Sequence, residues 1–151
     1  MIDELRGKIR AQYKPDFDFT SVGDVPFTAP AKPVAASRIA LISTAGVHLD
    51  DQEPFDRATP SGDCSYRRIA AGDDLARVRI WWDTDQHQPG SQDLNCAFPL
   101  ALLREKYDVA ATHYSFSGAI PDPRPLLEQT APAVASELKA DAVEAVLIAP
   151  S

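Results

Sequence analysis

Three short apolar segments stand out in the hydrophobic pattern of the chain. They cover residues 38–44 (RIALIST), 109–116 (VAATHYSF) and 143–149 (VEAVLIA). Segments of this length that are rich in apolar and β-branched residues are typical of strands buried on both faces of a sheet. The pattern therefore predicts three core strands.

Between these segments the apolar spacing becomes helical. Pro99 suits the first turn of a helix, where its missing N–H costs nothing, and one apolar face follows it at Leu100, Leu103 and Tyr107. A second helix is predicted to begin at Asp122 and Pro123 and to kink at Pro132. Its expected buried stripe consists of Leu126, Leu127, Ala131, Val134, Ala135 and Leu138.

The order strand, helix, strand, helix, strand predicts an α/β fold. We expect a three-layer architecture with a mostly parallel sheet, flanking helices and a long irregular insertion after the first strand. Within this insertion, 48–93, short strands are predicted at 65–69 and 77–82.

The N-terminal part has a different pattern. The apolar residues Ile2, Leu5, Ile9 and Tyr13 recur at helical spacing, and a proline-rich stretch follows from 15 to 37. We therefore divide the chain into a helix with a proline-rich arm, 1–37, and an α/β domain, 38–151.

Charge and composition limit the classes of ligand and partner that the chain is expected to bind. The chain has 22 acidic and 15 basic residues, a net charge of −7, which argues against a nucleic-acid ligand. It has no apolar run of about 20 residues and no signal-peptide pattern, so we expect a cytoplasmic protein without a membrane partner. Cys64 and Cys96 lie far apart without a CxxC motif, so neither a disulfide framework nor a zinc site is indicated.

Ligands of such sheets bind beyond the carboxyl ends of the strands. Here those ends are 44–48, 114–118 and 150–151, and the fold prediction places two imidazoles, His48 and His113, near one rim. Imidazole serves as an acid, a base or a metal ligand. The alternative is that each histidine only orders a loop through hydrogen bonds.

Other polar residues near these ends are candidates for a site. The hydroxyls of Tyr114, Ser115 and Ser117, next to Gly118, suit a carboxylate or oxyanion. Asp63 and Asp83 are expected either to orient a histidine or bind a cation, or to form Asx turns. The sequence has no GxSxG nucleophile motif and no glycine-rich phosphate loop.

Several segments in a fixed order resemble the selenoprotein B family of glycine, sarcosine, betaine and D-proline reductases. They are RIALISTAGVHLDDQEPFD (38–56), GDCSYRRI (62–69), DLNCAFPLALLRE (93–105) and the stretch from HYSFSGAIP to the end of VLIAP (113–150). The resemblance implies a subunit that reductively cleaves a C–N bond of an amino acid or betaine-like substrate, with a disulfide as the oxidised partner.

The resemblance also implies site residues. Matching positions, which we assign to a substrate-binding or structural pocket, are His48, Asp63, Ser65, Tyr66, Asp83, Thr84, Asn95, His113, Tyr114, Ser115 and Gly118. The resemblance implies that 38–151 is an α/β reductase-like domain, which we expect to be incomplete at its C-terminus. The family's redox cysteine or selenocysteine is expected just beyond Ser151, where a UGA codon read as stop or a split gene would end this chain. The catalytic residue is therefore unknown, and we expect no cofactor or metal apart from selenocysteine in a full-length form.

Three functions stay open at this point. The first is a subunit or truncated form of a selenol- or thiol-dependent reductase, acting with another reductase subunit or a second copy of itself. The second is a redox-silent accessory subunit that binds a partner or a small amine. The third is a metal-dependent lyase or hydrolase that uses His48 and His113.

Overall fold

A computed structural model describes residues 1–13, 15–19, 28–56, 58–80, 93–118 and 120–150. Its longer helices are α1 (Ile2–Gln12), α2 (Leu100–Arg104) and α3 (Ala131–Ala140). Its strands are β1 (Arg38–Ser43), β2 (His48–Leu49), β3 (Tyr66–Ala70), β4 (Val78–Arg79), β5 (Asp108–Val109), β6 (Thr112–Phe116) and β7 (Ala145–Ala149). Short 3₁₀ turns lie at Val34–Ala36, Leu75–Arg77 and Leu94–Cys96.

The main sheet is centred on β1. Strands β5 and β6 follow one another along one edge of β1, and β7 pairs with the other edge; all three run parallel to β1. The three predicted core strands and the two helices between them are confirmed, as is the α/β fold. Strand β3 lies outside β6 and is antiparallel to it, with Tyr66 opposite Phe116.

Side chains alternate between two apolar layers because successive strand residues point to opposite faces. On one face Leu41 and Ile69 pack with Phe98 and Leu100 from the region of α2. On the other face α3 covers the sheet, and its cluster is formed by Ile42, Tyr66, Tyr114, Phe116, Leu126, Val134 and Leu138. The sheet is therefore sandwiched between helices, as the alternation of elements predicted.

The second predicted helix contains one turn of π-helix, Leu126–Thr130, before α3. Pro132 lacks the N–H that would continue the α-helical ladder, and its ring crowds the carbonyl four residues earlier. The wide turn adds one residue, so Leu126 packs against the core while Leu127 is 65% exposed. The prediction that Leu127 belongs to the buried stripe was wrong for this reason, and Ala135, also predicted to be buried, is exposed.

The insertion after β1 is partly regular. Its β2 and β4 form a two-stranded antiparallel ribbon, with His48 opposite Arg79, and β3 joins the main sheet. The strand predicted at 65–69 is confirmed within one residue. The strand predicted at 77–82 is confirmed only as Val78–Arg79, and Trp81 and Trp82 lie outside the described residues.

The predicted N-terminal helix is confirmed as α1, but it has no buried residue. Arg6 forms an ion pair with Asp3 within the helix at 2.8 Å, and a second ion pair with Asp18, also at 2.8 Å, holds the helix against the following turn. No helix in the described part of the chain is both long enough and apolar enough to cross a membrane.

Candidate functional site

The carboxyl ends of β1, β6 and β7 are tied together by hydrogen bonds. The Gly46 N–H donates to the Phe116 carbonyl at 2.9 Å, and the Thr44 N–H donates to the Ala149 carbonyl at 3.1 Å. Gly46 has a φ of 62°, a conformation that costs glycine little and lets the chain turn directly after β1. We call the surface formed by residues 44–48, 61–66 and 115–118 the rim.

Hydroxyl side chains stabilise the rim from inside. The buried Ser115 Oγ accepts a hydrogen bond from the Val47 N–H at 2.6 Å. The buried Ser43 Oγ donates to the Ala97 carbonyl at 2.8 Å and accepts from the Ala45 N–H at 3.1 Å. Ser115, a predicted binding residue, therefore holds the turn that carries His48, while the exposed Gly118 follows the buried Ser117.

His48 lies at the rim with 8% of its surface exposed. Its Nδ1 is 3.1 Å from the Gly46 carbonyl oxygen. A carbonyl only accepts hydrogen bonds, so Nδ1 carries the proton, and in the neutral ring Nε2 has the free lone pair. The ring packs edge-on against Phe55 with centroids 6.5 Å apart, which fixes its plane.

Asp63 and Ser65 organise the loop that leads into β3. The Asp63 carboxylate accepts hydrogen bonds at 2.8 Å from the N–H groups of Asp56 and Ser65, and a third from the Ser65 hydroxyl. Burial opposes ionisation, but these hydrogen bonds outweigh it and lower the pKa of Asp63. Arg67 extends the network, since its guanidinium donates to Ser65 Oγ at 2.8 Å and lies 4.3 Å from the Phe55 ring centre.

The antiparallel direction of β3 explains why these residues reach the rim. Tyr66, the first residue of β3, is opposite Phe116, the last residue of β6. Asp63 and Ser65 therefore come to the same edge as Ser115 and Gly118. The structure thus brings together His48, Asp63, Ser65, Ser115 and Gly118, which sequence patterns predicted as site residues.

Tyr66 and Tyr114 form a second polar cluster, on the face covered by α3. Their hydroxyls donate to Glu137 at 2.8 and 3.1 Å, and Arg68 Nε donates to the same carboxylate at 2.7 Å. The hydrogen bond from Arg68 lowers the pKa of Glu137 to about 2, whereas burial followed by Glu137 raises the pKa of Tyr114 to about 12. Burial and the same carboxylate also raise the pKa of Tyr66.

Sequence patterns missed Glu137 and Arg68. Arg68 directly follows residues 62–67 (GDCSYR). An arginine at that position is, however, equally consistent with any solvent-exposed position of a strand. Glu137 lies within a predicted amphipathic helix, and only its place on the helix face beside Leu138 and Val134 pointed toward the sheet. Their pairing fastens α3 to β3 and β6.

His113 lies inside the sheet, away from the rim. It is fully buried, and its Nδ1 accepts a hydrogen bond from the Leu41 N–H at 3.0 Å. Burial and the charge of Arg104 lower its pKa to about 4. Strand pairing with β1 is interrupted at 110–111, between β5 and β6, so the Leu41 N–H lacks an acceptor from a neighbouring strand. The His113 ring nitrogen takes the place of that acceptor.

The other predicted residues lie elsewhere. Asn95 lies within a 3₁₀ turn that is capped by Asp93, and its side-chain Nδ2 donates to the Asp93 carboxylate at 2.8 Å. Asp83, like Thr84, lies outside the described residues. Within the residues that the structure describes, no group of three or more His, Cys, Asp or Glu side chains is arranged to hold a metal ion. The observed geometry thus gives no support to a metal centre built on His48 and His113.

The two cysteines lie in different loops, Cys64 within the rim and Cys96 in the 3₁₀ turn Leu94–Cys96. Cys64 is partly buried, and its Sγ lies 3.6 Å from the Asp122 carbonyl oxygen. Cys96 is exposed at the end of its 3₁₀ turn, next to Ala97, whose carbonyl binds Ser43.

Comparison with known proteins gives one curated relative. D-proline reductase subunit gamma of Acetoanaerobium sticklandii is 29% identical over 136 residues, covering 82% of this chain and 55% of that subunit. The chain is distantly related to this reductase family. It spans about half the length of the relative. No model of a known protein family matches the chain, and no solved structure is significantly similar to it.

Proposed function

We propose that this chain supplies the substrate pocket of a thiol- or selenol-dependent reductase that cleaves a C–N bond of D-proline or a related amino acid or betaine-like amine. The observation that carries the proposal is the relationship to D-proline reductase subunit gamma. A contiguous match covering 82% of the chain necessarily includes β1, β3 and β6, the strands that build the rim.

The rim offers groups that this reaction requires. Reductive cleavage of a C–N bond consumes two electrons and two protons, which a dithiol or a thiol and selenol pair provides when it forms a disulfide or selenenyl sulfide. The departing amine takes one of the protons, and His48 is the imidazole at the rim that would deliver it. The hydrogen bond from Nδ1 to the Gly46 carbonyl leaves Nε2 for this exchange.

The nucleophile in this proposal is a cysteine or selenocysteine outside residues 1–151, in a following segment or on another polypeptide. The thiolate or selenolate attacks the substrate carbon because it is ionised and polarisable at neutral pH, and a C–S or C–Se bond forms as the C–N bond breaks. The second thiol then attacks that sulfur or selenium, which forms the disulfide or selenenyl sulfide, and the released carbon takes the second proton. The chain therefore acts as one part of a multi-subunit or longer enzyme.

Calorimetric titration of the purified chain with D-proline tests the pocket, with L-proline as the matched control. We expect saturable binding of D-proline at least tenfold tighter than that of its enantiomer. His48→Asn keeps a donor for the Gly46 carbonyl but cannot exchange a proton near neutral pH. It should retain binding, while turnover by the completed enzyme falls at least a hundredfold.

Glycine, sarcosine and betaine complete the titration series and identify the substrate class. The substrate-pocket proposal is wrong if the folded chain binds neither proline enantiomer and none of these three amines. Full turnover by the His48→Asn enzyme would leave the pocket in place but remove the proton-transfer role of His48.

A further inference from the structure

Strand β7 is an apolar edge strand. One edge of β7 pairs with β1, and no other strand among the described residues pairs with its outer edge. Its central residues are strongly exposed: Val146 and Leu147 by 41% and Ile148 by 60%. Monomeric proteins usually protect such edges with charges, proline or bulges, because free N–H and C=O groups recruit other strands. The strand itself contains no charged residue.

The sequence of β7 is nearly palindromic. Read outward from Leu147, it has Val146 and Ile148 on either side and then Ala145 and Ala149. An isologous contact requires that residue i meets residue j while j meets i. Antiparallel pairing of two copies around Leu147 fulfils this with matched sizes, because alanine meets alanine, β-branched valine meets isoleucine, and leucine meets leucine.

The surroundings of β7 are compatible with a second copy. In this register Glu144 lies opposite Pro150 of the second copy, so no like charges face each other at the ends of the strand pair. Glu144 is also neutralised within its own chain, with its carboxylate 2.8 Å from Lys32 Nζ. The net charge of −7 on each copy is therefore not concentrated at this edge.

An apolar groove of about 230 Å³ adjoins the same edge. It is lined by Val34, Ile39, Leu103, Tyr107, Ala145, Val146 and Leu147. A five-residue strand pair alone buries less than the ~1,200 Å² of a standard interface, so a stable contact needs this additional surface. The partner's Leu147 would lie beside Leu147 on the groove face of the joined sheet.

We propose that β7 is the interface of a symmetric homodimer, in which two copies pair antiparallel across a two-fold axis at Leu147 and form one continuous sheet. Val146 and Ile148 of the two copies meet on the opposite face. This surface does not include the rim residues, so the test of the dimer is independent of the test of the proposed reductase function.

Disulfide trapping tests both the partner and the register. In a Cys64→Ser/Cys96→Ser background, Leu147→Cys places two thiols at the two-fold axis, where opposed Cα atoms are about 4.5 to 5.5 Å apart, within disulfide range. We expect most of the oxidised protein to migrate as a covalent dimer. Val146→Cys is the matched control and should not cross-link, because it faces Ile148; the Val146→Cys/Ile148→Cys double variant should.

Light scattering with size exclusion measures the same interface without cross-linking. The natural chain should be dimeric at about 50 μM, and Leu147→Lys should weaken the dimer at least tenfold because two ammonium groups meet at the axis, with unchanged far-UV circular dichroism. A monomer at this concentration overturns the proposal. So does equal trapping of Leu147→Cys and Val146→Cys, or a dimer that Leu147→Lys leaves intact.

Discussion

Strands β6 and β7 lie on opposite edges of β1, and they differ in opposite ways in sequence and in burial. Strand β6 (THYSF) carries threonine, histidine, tyrosine and serine, yet four of its five residues are buried. Strand β7 (AVLIA) is entirely apolar, yet its three central residues are exposed. The more polar strand is the interior one.

The two strands differ in whether their side chains have partners within the described chain. In β6 three buried polar side chains have specific partners: the Leu41 N–H on His113 Nδ1, the Val47 N–H on Ser115 and the Glu137 carboxylate on Tyr114. Among the described residues, His113 Nε2 has no hydrogen-bond partner. Burial is tolerable there because hydrogen bonds replace those lost to water. In β7 the apolar side chains lack such cover within the described chain, which is typical of a surface made for association.

Removing the His113 side chain should cause the largest loss of stability. His113→Ala leaves a cavity beside Phe98 and an unpaired Leu41 N–H within the sheet, which together should lower the free energy of unfolding by about 4 kcal/mol. Urea unfolding measures the change. Thr112→Ala, on the same strand, is the control and should cost less than 1 kcal/mol. Equal losses would show that β6 does not depend on this hydrogen bond.

The pH dependence of stability should report the same histidine. His113 has an ordinary pKa of 6.5 when unfolded and a pKa of about 4 when folded. Below pH 6.5 the His113 side chain binds a proton in the unfolded chain but not in the folded chain. Its contribution to the free energy of unfolding is therefore fully present above pH 6.5. It should fall by up to ~3 kcal/mol as the pH drops to 4. His113→Gln should remove this slope, and a slope that survives would assign the effect to another group.

Glu137→Ala should cost about 2 kcal/mol, because it leaves the buried Tyr114 hydroxyl and Arg68 without their carboxylate. Glu128, on the same helical segment, is exposed, and Glu128→Ala should change stability by less than 0.5 kcal/mol. The difference between the two variants in thermal or urea unfolding isolates the cluster. Similar values for both would mean that α3 is held by its apolar contacts alone.

A polar substitution in β7 should have the smallest effect on the fold. Ile148→Thr keeps the β-branched shape, and because Ile148 is 60% exposed, we expect a change below 0.5 kcal/mol. The unfolding must be measured at a protein concentration where copies do not associate. A loss above 2 kcal/mol would mean that β7 is buried in the isolated chain, and the contrast with β6 would disappear.

Much of the fold could be predicted from hydrophobic periodicity. The three parallel strands and the helices between them were predicted from short-range sequence patterns. These predictions hold because the tertiary contacts favour the same elements as the local patterns. Leu127 shows the limit, since a π-helical turn near Pro132 shifts the buried face by one residue. The position of β3 also escaped prediction, because pairing with β6 depends on contacts between distant segments rather than on local pattern.

The candidate site was predicted less completely. His48 and residues 117–118 follow strand ends, so the general rule for parallel sheets predicted their place at the rim, and their role in a site stays a prediction. His113 matched the same rule but is used inside the sheet, since the interruption between β5 and β6 is invisible in the sequence. Glu137 had no motif at all. Its role depends on the helix face that folding turns toward Tyr66 and Tyr114.

The central place of β1 has a consequence for how the chain folds. Residues 38–43 pair with β6 and β7, and the hydrogen bond from the Arg38 N–H to Glu144 spans 106 positions. Because closing such long loops precedes the contacts that stabilise them, folding should be slow for a protein of this size. During synthesis the largely apolar β1 emerges before β6 and β7, which cover it in the folded protein, so we expect chaperones to bind the nascent chain at this segment.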